Sequence, residues 1–278
     1  MMPKIGFSLQ KQYDRPIEEV ISLLKGAGFS AISPLFAPEV DLHRIAACAR
    51  DLEMKLQSLH APNHVAPLWA EGDPPVFDDV MQCIDLCAEL DIPIVIVHSW
   101  QGLEYTFPGE PLYYDHFDRL VDYAENKCIS IAFENLEGEE YLDALMARYA
   151  DRLHVGFCWD SGHENCYPHK LDFLEKFGDR LIMTHLNDNL GLRDPNGTPS
   201  GVDDLHYLPW DGQIDWDKKL QKLKNAKRQE TLNFEIKIKS NSDNPKDMIY
   251  AGLPLEDFIQ LAGVRAKQLA ELYDKGTV

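Results

Sequence analysis

The chain has 278 residues, 45% of them hydrophobic and 26% charged, a balance that excludes a disordered or fibrous polypeptide. Its formal net charge of −19, from 46 acidic and 27 basic residues, repels phosphate backbones and anionic lipid heads, so nucleic acid and membrane surfaces are disfavoured partners. No stretch reaches the roughly 18 apolar residues of a membrane span, and the amino terminus enters a strand-like segment without an apolar leader, which predicts a cytoplasmic protein.

Short apolar runs alternate with longer amphipathic ones along the whole chain. The strand candidates are 4–8, 31–35, 55–60, 92–98, 129–134, 154–160, 181–186 and 232–236. Helical patterns fall at 16–27, 40–52, 76–90, 111–126, 139–149, 170–177, 216–223 and 255–273. Pro16 opens the first of these and Gly28 closes it, the usual punctuation of a helix. Eight strands alternating with eight helices, without a composition break, predict an α/β fold: a single (β/α)8 TIM barrel occupying residues 1–278 as one domain. A doubly wound open sheet would carry a glycine-rich first turn, and Phe7-Ser8-Leu9-Gln10-Lys11 has none.

Two connections are long, 61–75 after the third strand and 187–215 after the seventh, and barrels place chemistry in such loops. The six cysteines (Cys48, Cys83, Cys87, Cys128, Cys158, Cys166) contain no C-x-x-C pair and read as reduced, mostly buried thiols. Asn196-Gly197-Thr198 matches a glycosylation acceptor by pattern only and reads as a turn.

The chemistry is concentrated where the strands stop. The third ends in His60, the fourth in His98, the fifth in Glu134, the sixth in Asp160, the seventh in His185, and the eighth carries Glu235. A single histidine or glutamate at such a place has a dull explanation as a hydrogen-bonded core group. Six converging on one barrel axis crowd like charges, and a bound cation is the usual compensation. Mixed carboxylate and imidazole donors suit zinc, manganese, iron or cobalt better than calcium. Asp160-Ser161-Gly162-His163 adds an imidazole just past the sixth strand, and Asp204-Leu205-His206 sets two donors on one side of an extended segment.

At these residues the chain resembles the xylose isomerase-like TIM-barrel superfamily of sugar isomerases, epimerases and apurinic endonucleases. The matching segments are FEN at 133–135, WDSGH at 159–163, HLND at 185–188, DLH at 204–206 followed by DGQIDW, and FEIK at 234–237. Each is short; their order, one per successive strand, is the specific signal. The resemblance to the sugar branch implies one divalent ion (zinc, manganese, cobalt or magnesium) held by Glu134, Asp160, His185 and Glu235. It also implies His163 at a substrate oxygen and Glu134 and Glu235 as an acid–base pair working through an enediolate.

The resemblance to the endonuclease branch implies instead three zinc ions on nine ligands, adding His60, His98, His163, Asp204 and His206 to those four. Against DNA as substrate stand the net charge, the Asn63-His64 pair where that branch carries an apolar wedge, and the absence of Lys or Arg between Leu56 and Glu104.

The expected activity is therefore a metal-dependent isomerase or epimerase acting on a small sugar or polyol-derived ketone. The alternatives are a zinc phosphodiesterase, a sugar dehydratase and a catalytically silent binding barrel. Trp69, Trp100, Tyr105, Trp159 and Trp210 are candidate walls of the mouth, with Trp100 as a substrate contact. Arg193 reads equally as a contact to a substrate phosphate or carboxylate and as half of a local salt bridge. A homo-oligomer is expected from the resemblance, with 241–250 as a candidate interface loop.

Overall fold

In the computed structural model, which describes residues 2–194 and 196–275, the apolar runs form parallel strands and the amphipathic runs wrap around them as helices. The first strand, Lys4–Ser8, shows the local logic. Its alternation sends Ile5 and Phe7 outward to the helix layer, where Phe7 meets Phe29 edge to face at 5.3 Å. Gly6 faces inward, where a Cβ would stand 2.8 Å from the Asn233 and Gln57 side chains. Only glycine leaves room there for the polar plug of Asn233, Ser8, Ser33 and Thr184 that fills this side of the interior. On the other side the interior is apolar, built from Ile96, Ala132, Cys158 and Met183.

The remaining strands are Ala31–Ser33, a third in two pieces (Lys55–Leu56 and Leu59–His60), Ile94–His98, Ser130–Glu134, Val155–Asp160, Leu181–His185 and Thr231–Phe234. Every ladder is parallel. The expected continuous strand at 55–60 is interrupted at Gln57 and Ser58, which are buried with Gln57 Oε1 and Ser58 Oγ lacking a partner. The ring accordingly consists of two ladders. One runs third–second–first–eighth and the other third through seventh, with isolated bridges at Leu35–His60 and Leu186–Phe234 joining them.

Helix ends are set by caps. Asp41 and Asp215 accept from the backbone N–H groups of Arg44 and Lys218 to start the helices Leu42–Asp51 and Trp216–Asn225. The helix expected over 170–177 shortens to Phe173–Phe177 because Asp172 caps it, and the one expected from residue 111 begins at Asp115. The last helix, Leu255–Asp274, packs on the first, Ile17–Ala27. A Cβ on Gly263 would lie 2.5 Å from the Ala27 carbonyl oxygen, so glycine permits the close crossing that joins the outer ring. Among the described residues, no helix is long and apolar enough to cross a membrane.

Candidate metal centre

The carboxyl ends of the strands meet around Glu134, which is fully buried at the end of Ser130–Glu134. Its two oxygens face different partners. Oε2 lies 3.2 Å from His60 Nε2 and 3.5 Å from His98 Nε2, while Oε1 lies 2.9 Å from His185 Nδ1 and 3.4 Å from His163 Nδ1. His185 Nδ1 is also 2.8 Å from Glu235 Oε2. Further round the rim, Asp204 Oδ2 lies 2.8 Å from His206 Nε2 and 3.5 Å from His163 Nε2.

Among the described residues, three candidate groups of carboxylate and imidazole ligands result: His60–His98–Glu134, Glu134–Asp160–His185–Glu235, and His163–Asp204–His206. In each, the donor atoms lie within 4.8 Å of one another, and Glu134 belongs to the first two. Cys158, two residues before Asp160 on the inward face, brings its thiol within the same distance of Glu134 and His185. Burial pushes that thiol up to about 12, opposed by the neighbouring His185.

These residues fit a divalent ion on the evidence of their own hydrogen bonds. His60, His163 and His206 each spend Nδ1 on a backbone carbonyl (Ala61, Asn135 and Glu235, at 2.7, 2.9 and 2.9 Å), which directs Nε2 at a carboxylate. Such a lock on one ring nitrogen is how ligating histidines are oriented. His98 Nδ1 and Asp204 Oδ1 are buried without a partner among the described residues. His206 holds φ at 52°, the left-handed region that costs a side-chain-bearing residue energy, so its ring is aimed at the expense of its backbone.

Asp160 is held by its surroundings in the same way. Both its oxygens accept from Asn187 Nδ2 at 3.1 and 3.0 Å, and Oδ1 also accepts from the His163 N–H to cap the short helix Ser161–Cys166. A Cβ on Gly162 would fall 1.8 Å from Asn187 Oδ1, so the approach of Asn187 requires glycine there.

Electrostatically, four carboxylates (Glu134, Asp160, Asp204 and Glu235) share this small volume. Burial works to raise Glu134, but the His185 charge and hydrogen bonds from His163, His185 and His60 outweigh it and hold the carboxyl well below its usual range. Burial, opposed by His163 and reinforced by the Glu134 charge, raises Asp160 to about 6. Burial lowers His98 to about 3. His163 and His185 go the other way: burial is overcome by Asp160 and Asp204 for the first, and by Cys158, Glu134 and Glu235 for the second, so both imidazoles are held well above their ordinary value.

Protons thus occupy the place of cations, and an ion must expel them. Because His163 and His185 are raised, they stay protonated through neutrality. Metal affinity is therefore expected to climb as pH rises and to fall as it drops, with protons released on binding. Calorimetry in buffers of different ionisation enthalpy measures that release; a buffer-independent heat at neutral pH would contradict it.

The groups border a cavity of about 460 Å3, within the range of small-molecule sites. His60, His98, His163, His185, Asp204, His206 and Glu235 line it beside Asn63, Gln101 and Glu137, with Lys11 and Lys237 as its cationic lining.

The chain matches the family described as xylose isomerase-like TIM barrel over residues 21–254. It belongs to that family. Among its relatives, the Sinorhizobium fredii protein y4fM is 29% identical over 272 residues, covering 81% of this chain and 83% of that one. The Methanocaldococcus jannaschii protein MJ1311 is 23% identical over 205 residues, covering 68% and 64%. Solved structures with the same fold include the IolI protein with a bound zinc atom (18% identity, TM-score 0.77, covering 98% of this chain and 99% of that one). Another is an L-ribulose 3-epimerase (16% identity, TM-score 0.68, full coverage of both chains). The solved structures that share this fold thus include a sugar epimerase and a zinc-binding protein.

Within this family fold, all nine ligand candidates read from the sequence come together in the three groups. Other expectations are corrected. Arg193 does not line the cavity: its guanidinium is clamped by Asp203 and Asp247, each at 2.7 Å, and by the Val202 carbonyl, so it braces the seventh loop. Trp100 does not line it either, because its ring stacks on Tyr141 at 4.4 Å and its N–H is spent on Gly102.

Trp159 alternates with the inward Cys158 and Asp160, so it is buried on the helix side, donating to Glu164. Trp69 and Tyr105 donate to Ser99 and Glu140, and Trp210 packs on Trp216, leaving none of these aromatics on the cavity wall. In the segment 241–250, Asn241 donates to Asp204 and Ser242 to Asp247, while the Tyr207 hydroxyl donates to the Asp247 carbonyl; these side chains serve the site's own loops. The residues that the sequence reading passed over are the supports Asn135, Asn187 and Asn241, together with Cys158 and Glu137; only adjacency to a ligand motif (FEN, HLND) marked the first two.

Proposed function

We propose that the chain is a metal-dependent isomerase or epimerase of a small sugar or polyol-derived ketone, one barrel domain with its chemistry at Glu134 and Glu235. The observation that carries this reading is the position of Glu235. Its carboxylate shares His185 Nδ1 with Glu134, yet its side chain is 22% exposed and borders the sugar-sized cavity. Zinc, manganese, cobalt or magnesium would be held by Glu134, Asp160, His185 and Glu235, and would supply Lewis-acid polarisation of adjacent carbonyl and hydroxyl oxygens.

The chain's own residues do the rest. Glu235 reaches the substrate from the cavity floor and takes the proton from carbon. Glu134, whose Oε1 meets the same His185 Nδ1, is the second member of the acid–base pair and gives a proton to carbon, after which the two carboxyls are reset by exchange with solvent. Asn187 and Asn135 hold Asp160, and His163 presents Nε2 to the cavity at the position of a substrate oxygen. Loss of a β-substituent after the same proton removal would make the enzyme a dehydratase. The test is exchange of the α-proton of candidate ketoses with deuterated water. Exchange that falls to background on chelation and returns with metal is the expected result, and no exchange by any metal-loaded form would sink the proposal.

A second reading, a zinc-dependent phosphodiesterase, is favoured by one observation: three neighbouring ligand groups, two of which share Glu134. Two or three ions would suit attack on a phosphate ester. The net charge of −19 and the cationic lining limited to Lys11 and Lys237 argue for a small ester over a duplex. Three zinc ions per chain by elemental analysis, with chelator-sensitive nicking of an abasic duplex or cleavage of a small phosphodiester, would establish it in place of the first.

A further inference from the structure

Glu137 stands apart from every ligand group yet faces the same cavity. It lies three residues beyond Glu134, in the loop that follows the fifth strand. Its Oε2 is sealed from solvent and has no hydrogen-bond partner among the described residues. An unpaired buried carboxylate oxygen is costly unless the group keeps a proton or meets a ligand. The charged and titratable groups around it are His163, Asp204 and the Tyr167 hydroxyl, and backbone N–H groups of its own residue and Gly102 touch the carboxyl. Burial outweighs these contacts and raises it above the ordinary carboxylate value.

We propose that Glu137 is a further catalytic residue, a carboxyl on the cavity wall that exchanges a proton with a substrate oxygen within each turnover. The inference rests on the isomerase reading above. As a ligand glutamate removes the carbon-bound proton, the C–H pair becomes the new C–C π bond and the carbonyl π pair moves onto oxygen. That oxygen takes the Glu137 proton. In the return half a glutamate protonates carbon and Glu137 recovers a proton, from the same oxygen in an epimerisation and from the neighbouring hydroxyl, which becomes the new carbonyl, in an isomerisation. Where a second glutamate delivers the carbon-bound proton, the two glutamates have exchanged states and reset through solvent. No oxidant or reductant is consumed.

The test compares metal-loaded wild type with Glu137→Gln and Glu137→Asp, using the ketose that wild type exchanges fastest. Glu137→Gln is expected to keep its metal content and KM while α-proton exchange falls by about 100- to 10,000-fold, the usual weight of general acid–base catalysis. Glu137→Asp should recover part of that loss. The decline in wild-type rate at high pH, where Glu137 ionises, should disappear in the Gln variant.

Exchange by Glu137→Gln within about threefold of wild type, at equal metal content, overturns the proposal. If wild type itself exchanges no proton, the isomerase reading falls separately. In that case 13C NMR of labelled glutamate decides the point for Glu137. A raised carboxyl titration that vanishes in Glu137→Gln supports a proton-exchanging group, and an ordinary one refutes it.

Discussion

Glu134→Gln is expected to empty two of the three ligand groups at once. The carboxamide preserves the volume of the side chain but removes the charge that Oε1 and Oε2 direct at His185 and at the His60–His98 pair. Loss of a group that merely orients a ligand typically weakens metal binding by about 10- to 100-fold, so loss of a shared ligand should exceed roughly 100-fold for both ions. The third group, His163–Asp204–His206, does not include Glu134 and should hold an ion with little change. Elemental analysis and competition against a chelator read the two effects separately. Unchanged ion content and affinity in this variant would mean that the cluster is not a metal centre. Activity should vanish as well, under either functional reading.

The second large effect is expected at Asp188, a residue outside every ligand group. This carboxylate is buried and accepts four hydrogen bonds, from the backbone N–H groups of Asn189, Trp210 and Ile214 and from the Trp216 indole. Burial raises its pKa, opposed by those same bonds. It ties together the two ends of the long seventh loop, and the Asp188–Tyr207 bridge sets the segment carrying Asp204 and His206. Gly212 allows this closeness, since a Cβ there would meet the Asn189 backbone at 2.3 Å.

Asp188→Ala strands four donors in the interior. A cost of about 3–5 kcal/mol in denaturant unfolding is expected from the penalty for buried unpaired groups. The ion at the third group should be lost before those at the other two. A variant with wild-type stability and full ion content would show that the loop is organised by its other contacts.

How much of this was legible in the chain alone differs from residue to residue. The strand-and-helix alternation, and the placement of ionisable groups at strand ends, depend on local periodicity, and the structure keeps them with small shifts of boundary. The split of the third strand at Gln57 and Ser58 was not legible, because it comes from the polar packing inside the ring. The role of Trp159 was misread although its neighbours Cys158 and Asp160 carried the needed signal: in a strand, the residue between two inward ones points out. Arg193 offered no such signal, because its partners lie 10 and 54 positions away.

The sequence reading expected four ligands, Glu134, Asp160, His185 and Glu235, at one barrel mouth, with His60, His98, His163, Asp204 and His206 as further candidates. The sequence by itself determined which donors are present and that six of them stand where strands end, with His163, Asp204 and His206 in the segments that follow, since both follow from residue identity and short-range pattern. Only the tertiary structure decided how they divide. Glu134 turns one oxygen to each of two groups, three imidazoles are locked by backbone carbonyls, and Glu137 is left free on the cavity wall. Those relations are set by the register between strands and the paths of long loops, and contacts across such distances leave no period in the chain to read.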